Sequence, residues 1–157
     1  RVAALRRRPE LSAADPLGEE CCGPERLDSL AAQSDYLVAP APWTGETRGM
    51  IGEAALGAMK PGAVLINVGR GPVVDEEALV RALRERRIRG AALDVFENEP
   101  LPAGHPFYGL DNVLLSPHCA DHTADWLERA MRFFLENFRR FHAGQALRNV
   151  VDPRQGY

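Results

Sequence analysis

Three apolar runs in this chain are each followed at once by side chains able to do chemistry. Val64–Val68 leads into Gly69-Arg70-Gly71, Ala91–Leu93 into Asp94 and then Glu97, Glu99 and Pro100, and Val113–Leu115 into Ser116-Pro117-His118. Flanking glycines let a backbone come close to a ligand and leave the Arg70 guanidinium to fork onto a carboxylate. His118 can donate or accept a proton near neutral pH, and a neighbouring carboxylate would hold its orientation. Singly, an Arg between glycines reads as a surface turn and a His after Pro as structural. Their convergence depends on the elements that carry them.

Those elements are legible. Val2–Leu5, Tyr36–Ala39, Ala63–Val68, Ala91–Asp94 and Val113–Leu115 are short and continuously apolar, which predicts strands covered on both faces, with a brief sixth near Glu20–Cys22. Helices are predicted over Pro24–Gln33, with Pro at its start, over Ile51–Met59, and after Asp75 as N-cap, where Ala78, Leu79, Ala82 and Leu83 form the buried stripe. Strands alternating with helices predict βαβ units, a parallel sheet and helices on both of its faces. In such sheets ligands bind outside the carboxyl ends of the strands, so Arg70, the acidic residues and His118 belong to one rim. The last third breaks the alternation. Thr123 is expected to cap a long helix to Ala143 whose apolar face is wider than one sheet contact requires, and the apolar tail Leu147–Val151 has no obvious partner.

Composition narrows the class. With 157 residues, 45% of them hydrophobic, the chain can bury a core and is not disordered by composition. No apolar run approaches the roughly 20 residues of a membrane-spanning helix, and the basic Arg1–Pro9 predicts no secretory signal. Cys21, Cys22 and Cys119 suit neither a disulfide framework nor a zinc site, so no metal is expected and the chain reads as cytoplasmic. A net charge of −3 argues against nucleic acid. Of the 19 basic residues 18 are arginine, which reads as coding bias for the set as a whole. Arg1 is not Met and Val2–Leu5 already reads as the inside of a strand, so a fragment of a longer protein is expected.

An Arg for a carboxylate plus a His–Glu proton relay suits reduction of a 2-oxo acid to a 2-hydroxy acid, with a nicotinamide cofactor as hydride donor. The ordered segments Pro42-Trp43-Thr44-Gly45-Glu46-Thr47-Arg48-Gly49, Met59-Lys60-Pro61-Gly62-Ala63, Ile66-Asn67-Val68-Gly69-Arg70-Gly71, Val74-Asp75-Glu76, Ala92 to Pro100 and Ser116-Pro117-His118 carry a resemblance. So do the Arg-to-Asp interval of 24 and the Asp-to-Glu interval of 5. Over essentially its whole length the chain resembles the D-isomer-specific 2-hydroxyacid dehydrogenases, and in overall pattern their glyoxylate and hydroxypyruvate reductases.

The resemblance implies roles residue by residue. Arg70 would bind the substrate carboxylate and polarise its carbonyl, His118 would be the general acid–base, and Glu99 its paired acid. Asp94 would lie beside the nicotinamide carboxamide; Ala41, Pro42 and Thr47 would line the cofactor, and Val68-Gly69 its nicotinamide end. Glu97 is expected to be an exposed carboxylate and Cys119 a small packed residue. Arg6, Arg7 and Arg8 follow Val2–Leu5 where NAD-using relatives place an acid, so NADP is favoured over NAD, Arg6 and Arg7 meeting the 2′-phosphate.

The fold expected is α/β: a parallel Rossmann-type sheet with flanking helices, without the first strand and the glycine-rich loop. That strand would lie between Val2–Leu5 and Tyr36–Ala39. Residues 1–122 would be the dinucleotide-binding domain, and 123–157 a helix and tail returning to a substrate domain. The family is usually homodimeric. The alternatives are a corepressor-like protein that senses the dinucleotide, and a truncated piece, unstable and inactive on its own.

Overall fold

The computed structural model describes residues 1–12 and 20–154, so the end of the tail at 155–157 lies outside the described residues. Among the described residues, six parallel strands form two sheets. β1 (Ala3–Leu5) pairs with β2 (Glu20–Cys22), with Ala3 opposite Glu20 and Leu5 opposite Cys22. β3 (Tyr36–Ala39), β4 (Val64–Asn67), β5 (Gly90–Leu93) and β6 (Val113–Leu115) lie side by side in chain order. Each connection between them must therefore cross over and return to the same end. That return puts the three chemistry-bearing segments at one rim.

The helices follow the expected order with shifted boundaries. A 3₁₀ turn over Pro24–Arg26 precedes α1 (Leu27–Gln33), so the single predicted helix is divided. α2 spans only Glu53–Ala58. Ile51, expected inside it, instead donates its N–H to Val73 at 3.1 Å and accepts from Asp75 at 3.1 Å, an isolated parallel bridge that the helix cannot overlap. α3 (Glu76–Arg84) starts where predicted, because the Asp75 carboxylate accepts the Ala78 N–H at 3.0 Å. α4 (Trp126–His142) begins later than expected: the Thr123 hydroxyl donates to Asp125, which occupies the N-cap position instead.

Register decides what is buried. Leu37, Leu65 and Ala91 align across β3–β5, as do Ala39, Asn67 and Leu93, and all six are buried. Ala31, Ala55, Leu56, Ala78, Leu79 and Leu83 from α1, α2 and α3 complete this core. On the opposite face Tyr36, Val38 and Leu114 stay more than half exposed. The expectation of cover on both faces thus fails for this side among the described residues. The apolar face of α4 is open too, with Leu127, Phe134, Phe138 and Phe141 exposed.

β1 and β3 do not pair. A cleft of about 670 Å³ separates them, lined along its length by Val2–Leu5 and Tyr36–Pro40. This is the place where the sequence predicts a further strand.

Candidate active site

The strand ladder continues past the strand ends and stitches the rim together. The Val68 N–H donates to Ala39, Asp94 to Asn67 at 3.0 Å, and Ser116 to Leu93 at 2.9 Å. The His118 N–H then donates to the Asp94 carbonyl at 2.8 Å. Arg70, Glu99 and His118 are thereby held on loops rooted in neighbouring strands.

The Arg70 turn is built by Asn67 and two glycines. Asn67 is 1% exposed; its Oδ1 accepts the Gly69 N–H at 3.2 Å and its Nδ2 donates to the Arg70 carbonyl at 3.2 Å. A Cβ on Gly69 would meet the Ala41 carbonyl oxygen at 2.6 Å, so only glycine lets this turn lie against the β3 loop. Arg70 itself is exposed, with one guanidinium nitrogen donating to the Gly69 carbonyl at 2.8 Å. On the β3 loop the Thr47 hydroxyl donates to the Pro42 carbonyl at 2.7 Å, which closes the segment Pro42–Thr47 beside Ala41. Val68 stays 41% exposed at the rim.

His118 and Glu99 meet. His118 Nδ1 lies 2.7 Å from Glu99 Oε2, and Glu99 Oε1 accepts the Phe96 N–H at 2.9 Å. Burial pushes the Glu99 carboxyl up, but the His118 hydrogen bond, the Phe96 N–H and the charges of His118 and Arg70 together hold it below the usual range. An ionised Glu99 requires the proton on Nδ1, which leaves Nε2 as the nitrogen for exchange with a ligand. Beside the pair is a pocket of about 530 Å³ lined by Phe96, Leu101, Tyr108, Leu115 and Pro117.

Asp94 is 4% exposed, and both of its carboxylate oxygens accept from protein donors. Oδ1 accepts from the Ser116 hydroxyl and from the Cys119 N–H at 2.9 Å, and Oδ2 from the Ala120 N–H at 3.0 Å. Burial would raise its pKa, but these three donors and the nearby His118 charge hold it low. These bonds cross the His118 turn, where the histidine sits at φ 52°, a left-handed conformation that needs outside support.

Arg6 and Arg7 leave the end of β1. The Arg6 N–H donates to Cys22 at 2.9 Å, and Arg7 Nε lies 3.5 Å from Glu46 on the β3 loop. Glu97 is exposed but paired with Arg48 at 3.1 Å. Sequence reasoning gave Asn67 and Ser116 no role in building the site; the only signal was a polar residue inside one apolar run and directly after another.

Residues 1–120 match the family described as D-isomer specific 2-hydroxyacid dehydrogenase, NAD binding domain. This chain belongs to the D-isomer specific 2-hydroxyacid dehydrogenases. Among family members, "Glyoxylate/hydroxypyruvate reductase B" of Enterobacter agglomerans is 44% identical over 128 residues, covering 82% of this chain and 40% of that protein. A 2-hydroxyacid dehydrogenase of this family from Xanthobacter autotrophicus Py2, solved with NADPH and MES, is 40% identical with a TM-score of 0.81, covering 99% of this chain and 72% of that one. An NADPH-dependent glyoxylate/hydroxypyruvate reductase of Sinorhizobium meliloti, solved with NADP and sulfate, is 29% identical with a TM-score of 0.83, covering 98% of this chain and 48% of that one. The chain spans under half the length of the curated relatives it matches. Its parallel sheet with flanking helices is the Rossmann-like architecture of the family's NAD-binding domain.

Proposed function

We propose that the protein carrying this chain is an NADP-linked reductase of small 2-oxo acids of the glyoxylate or hydroxypyruvate type. The observation that carries the reading is the 2.7 Å contact of His118 with Glu99 on the rim that also bears Arg70. A nicotinamide cofactor, when bound at this rim, would supply the hydride. Arg70 binds the substrate carboxylate through its guanidinium and draws electron density from the adjacent carbonyl. His118 Nε2 gives the carbonyl oxygen its proton, and Glu99 holds Nδ1–H and offsets the charge on the imidazole. In the reverse direction the same nitrogen removes the hydroxyl proton.

The residues present suit the cofactor. Gly69 leaves no side chain between the Arg70 turn and the β3 loop, and Ala41, Pro42, Thr47, Val68 and Gly69 would line the nicotinamide half. Asp94 Oδ2, which takes one protein donor, would accept from the carboxamide. Arg6 and Arg7 would meet the 2′-phosphate, a role supported by their place at the end of β1. Residues 1–122 form the dinucleotide-binding domain in this reading, and 123–157 belong with a substrate domain that covers the exposed apolar side of α4 in a cytoplasmic homodimer.

The test is a fluorescence titration with NADPH and NADH, followed by turnover of glyoxylate and hydroxypyruvate by the intact protein and by Arg70→Ala. Tighter NADPH binding, and loss of turnover in Arg70→Ala with NADPH binding retained, is the expected result. Turnover unaffected by Arg70→Ala would overturn the assignment.

A further inference from the structure

The loop that bears Glu99 is pinned from outside the site. Glu76 opens α3, yet its side chain turns inward and is only 14% exposed. Its Oε1 accepts the Glu97 backbone N–H at 2.7 Å. One residue earlier the Phe96 N–H donates to Glu99 at 2.9 Å, so two successive amides are divided between two carboxylates. The direction of the first amide constrains the second, because only the dihedrals of one residue lie between them.

Helix capping does not account for this placement. Asp75 already occupies the N-cap, and the exposed Glu77 complements the helix dipole without entering the protein. Burial raises the Glu76 pKa, and the Glu97 carboxylate adds to that; the Glu97 N–H and His105 oppose it. His105 Nδ1 accepts the Phe107 N–H at 3.3 Å, which puts the proton of a neutral ring on Nε2. That nitrogen faces Glu76 Oε2 at 3.6 Å, an electrostatic contact longer than a hydrogen bond. A carboxylate buried to this degree costs free energy to hold, and its hydrogen bond goes to the Glu99 loop.

We propose that Glu76 is a positioning residue for the proton-transfer pair: by holding the Glu97 amide it aims the Phe96 amide at Glu99 and sets Glu99 against His118. This role rests on the proton-relay reading of His118 and Glu99. It is a matter of reach rather than charge.

The experiment compares Glu76→Gln, Glu76→Asp, Glu76→Ala and Glu99→Gln in the intact protein, with steady-state kinetics over a pH series and melting temperatures. Gln keeps the acceptor at full reach and should stay within about twofold of the parent in kcat. Asp keeps the charge but is one methylene short; it and Ala should lose about tenfold in kcat with little change in KM for the 2-oxo acid. Their acid limb should also move to higher pH, because a Glu99 without the Phe96 donor is less stabilised as a carboxylate. Where Ala does not fold, the contrast of Gln with Asp decides. Parent-like kcat and acid limb in a folded Asp variant, or Gln as impaired as Asp, would overturn the role. Parent-like turnover in Glu99→Gln would instead sink the relay reading and this role with it.

Discussion

Gly71 lies against the Phe96 carbonyl so closely that a Cβ placed on it would come within 1.9 Å of the carbonyl carbon. This contact joins the turn that carries Arg70 to the loop that carries Glu99. The two loops arise from neighbouring strands, and their relative height is set by backbone touching backbone. A side chain at Gly71 would have to push one of them away.

Gly71→Ala should therefore cost about 1–3 kcal/mol of stability, as overpacking does against rigid neighbours. Turnover should fall by about 100-fold or more, since a displacement near 1 Å is enough for that. Thermal unfolding and steady-state kinetics on the same preparation check both. A stable, fully active Gly71→Ala protein would mean that the loops move independently.

Arg70→Lys should keep charge but lose the planar fork. KM for the 2-oxo acid should rise by about tenfold or more while affinity for NADPH stays unchanged, because a point charge does not reproduce bidentate carboxylate binding. Parallel substrate kinetics and cofactor titration separate the two effects.

Asp94 binds three donors as a carboxylate, and its folded pKa is depressed although burial alone would raise it. For a group depressed on folding, the stabilisation is present above the unfolded value and is lost as pH falls through the folded one. Stability should therefore decline below about pH 4, the ordinary aspartate value. Asp94→Asn should flatten that decline and cost about 1–3 kcal/mol at neutral pH, because its amide group turns a donor toward donors. Chemical denaturation at several pH values reads both effects.

Arg6→Ser and Arg7→Ser should each weaken NADPH binding by about tenfold, the worth of one charge-assisted hydrogen bond, and leave NADH nearly untouched. Arg7 must leave its 3.5 Å contact with Glu46 to reach a phosphate, so Glu46→Gln should strengthen NADPH binding slightly. Equal losses for both cofactors would remove the 2′-phosphate from the account.

The β1–β2 pair has only two short strands and buries none of their residues fully, whereas Leu65 and Leu93 on β4 and β5 are 0% and 4% exposed. Isolated two-stranded sheets are marginal in water. In a protein of these 157 residues alone, amide exchange at Ala3–Leu5 and Glu20–Cys22 should be faster than at Leu65 and Leu93 by about 100-fold or more. Uniform protection across both sheets would contradict this.

The amino-acid sequence by itself determined the alternation of strands and helices, the strand limits at Tyr36–Ala39 and Val113–Leu115, the Asp75 cap and the gathering of Arg70, Asp94, Glu99 and His118 at one rim. All of these follow from local periodicity and from the rule that parallel strands end on the same side. Other features were decided only by the tertiary structure. The start of α2 moved because Ile51 bridges to Val74, and Asn67 became a turn-builder because it is buried beside Gly69 and Arg70. Asp94 reaches across to residues 116–120, and Glu76 to Glu97. The longer-range bonds join residues some twenty positions apart, where no sequence period operates. Their partners are chosen by which buried oxygen lacks a donor once the strands are in register.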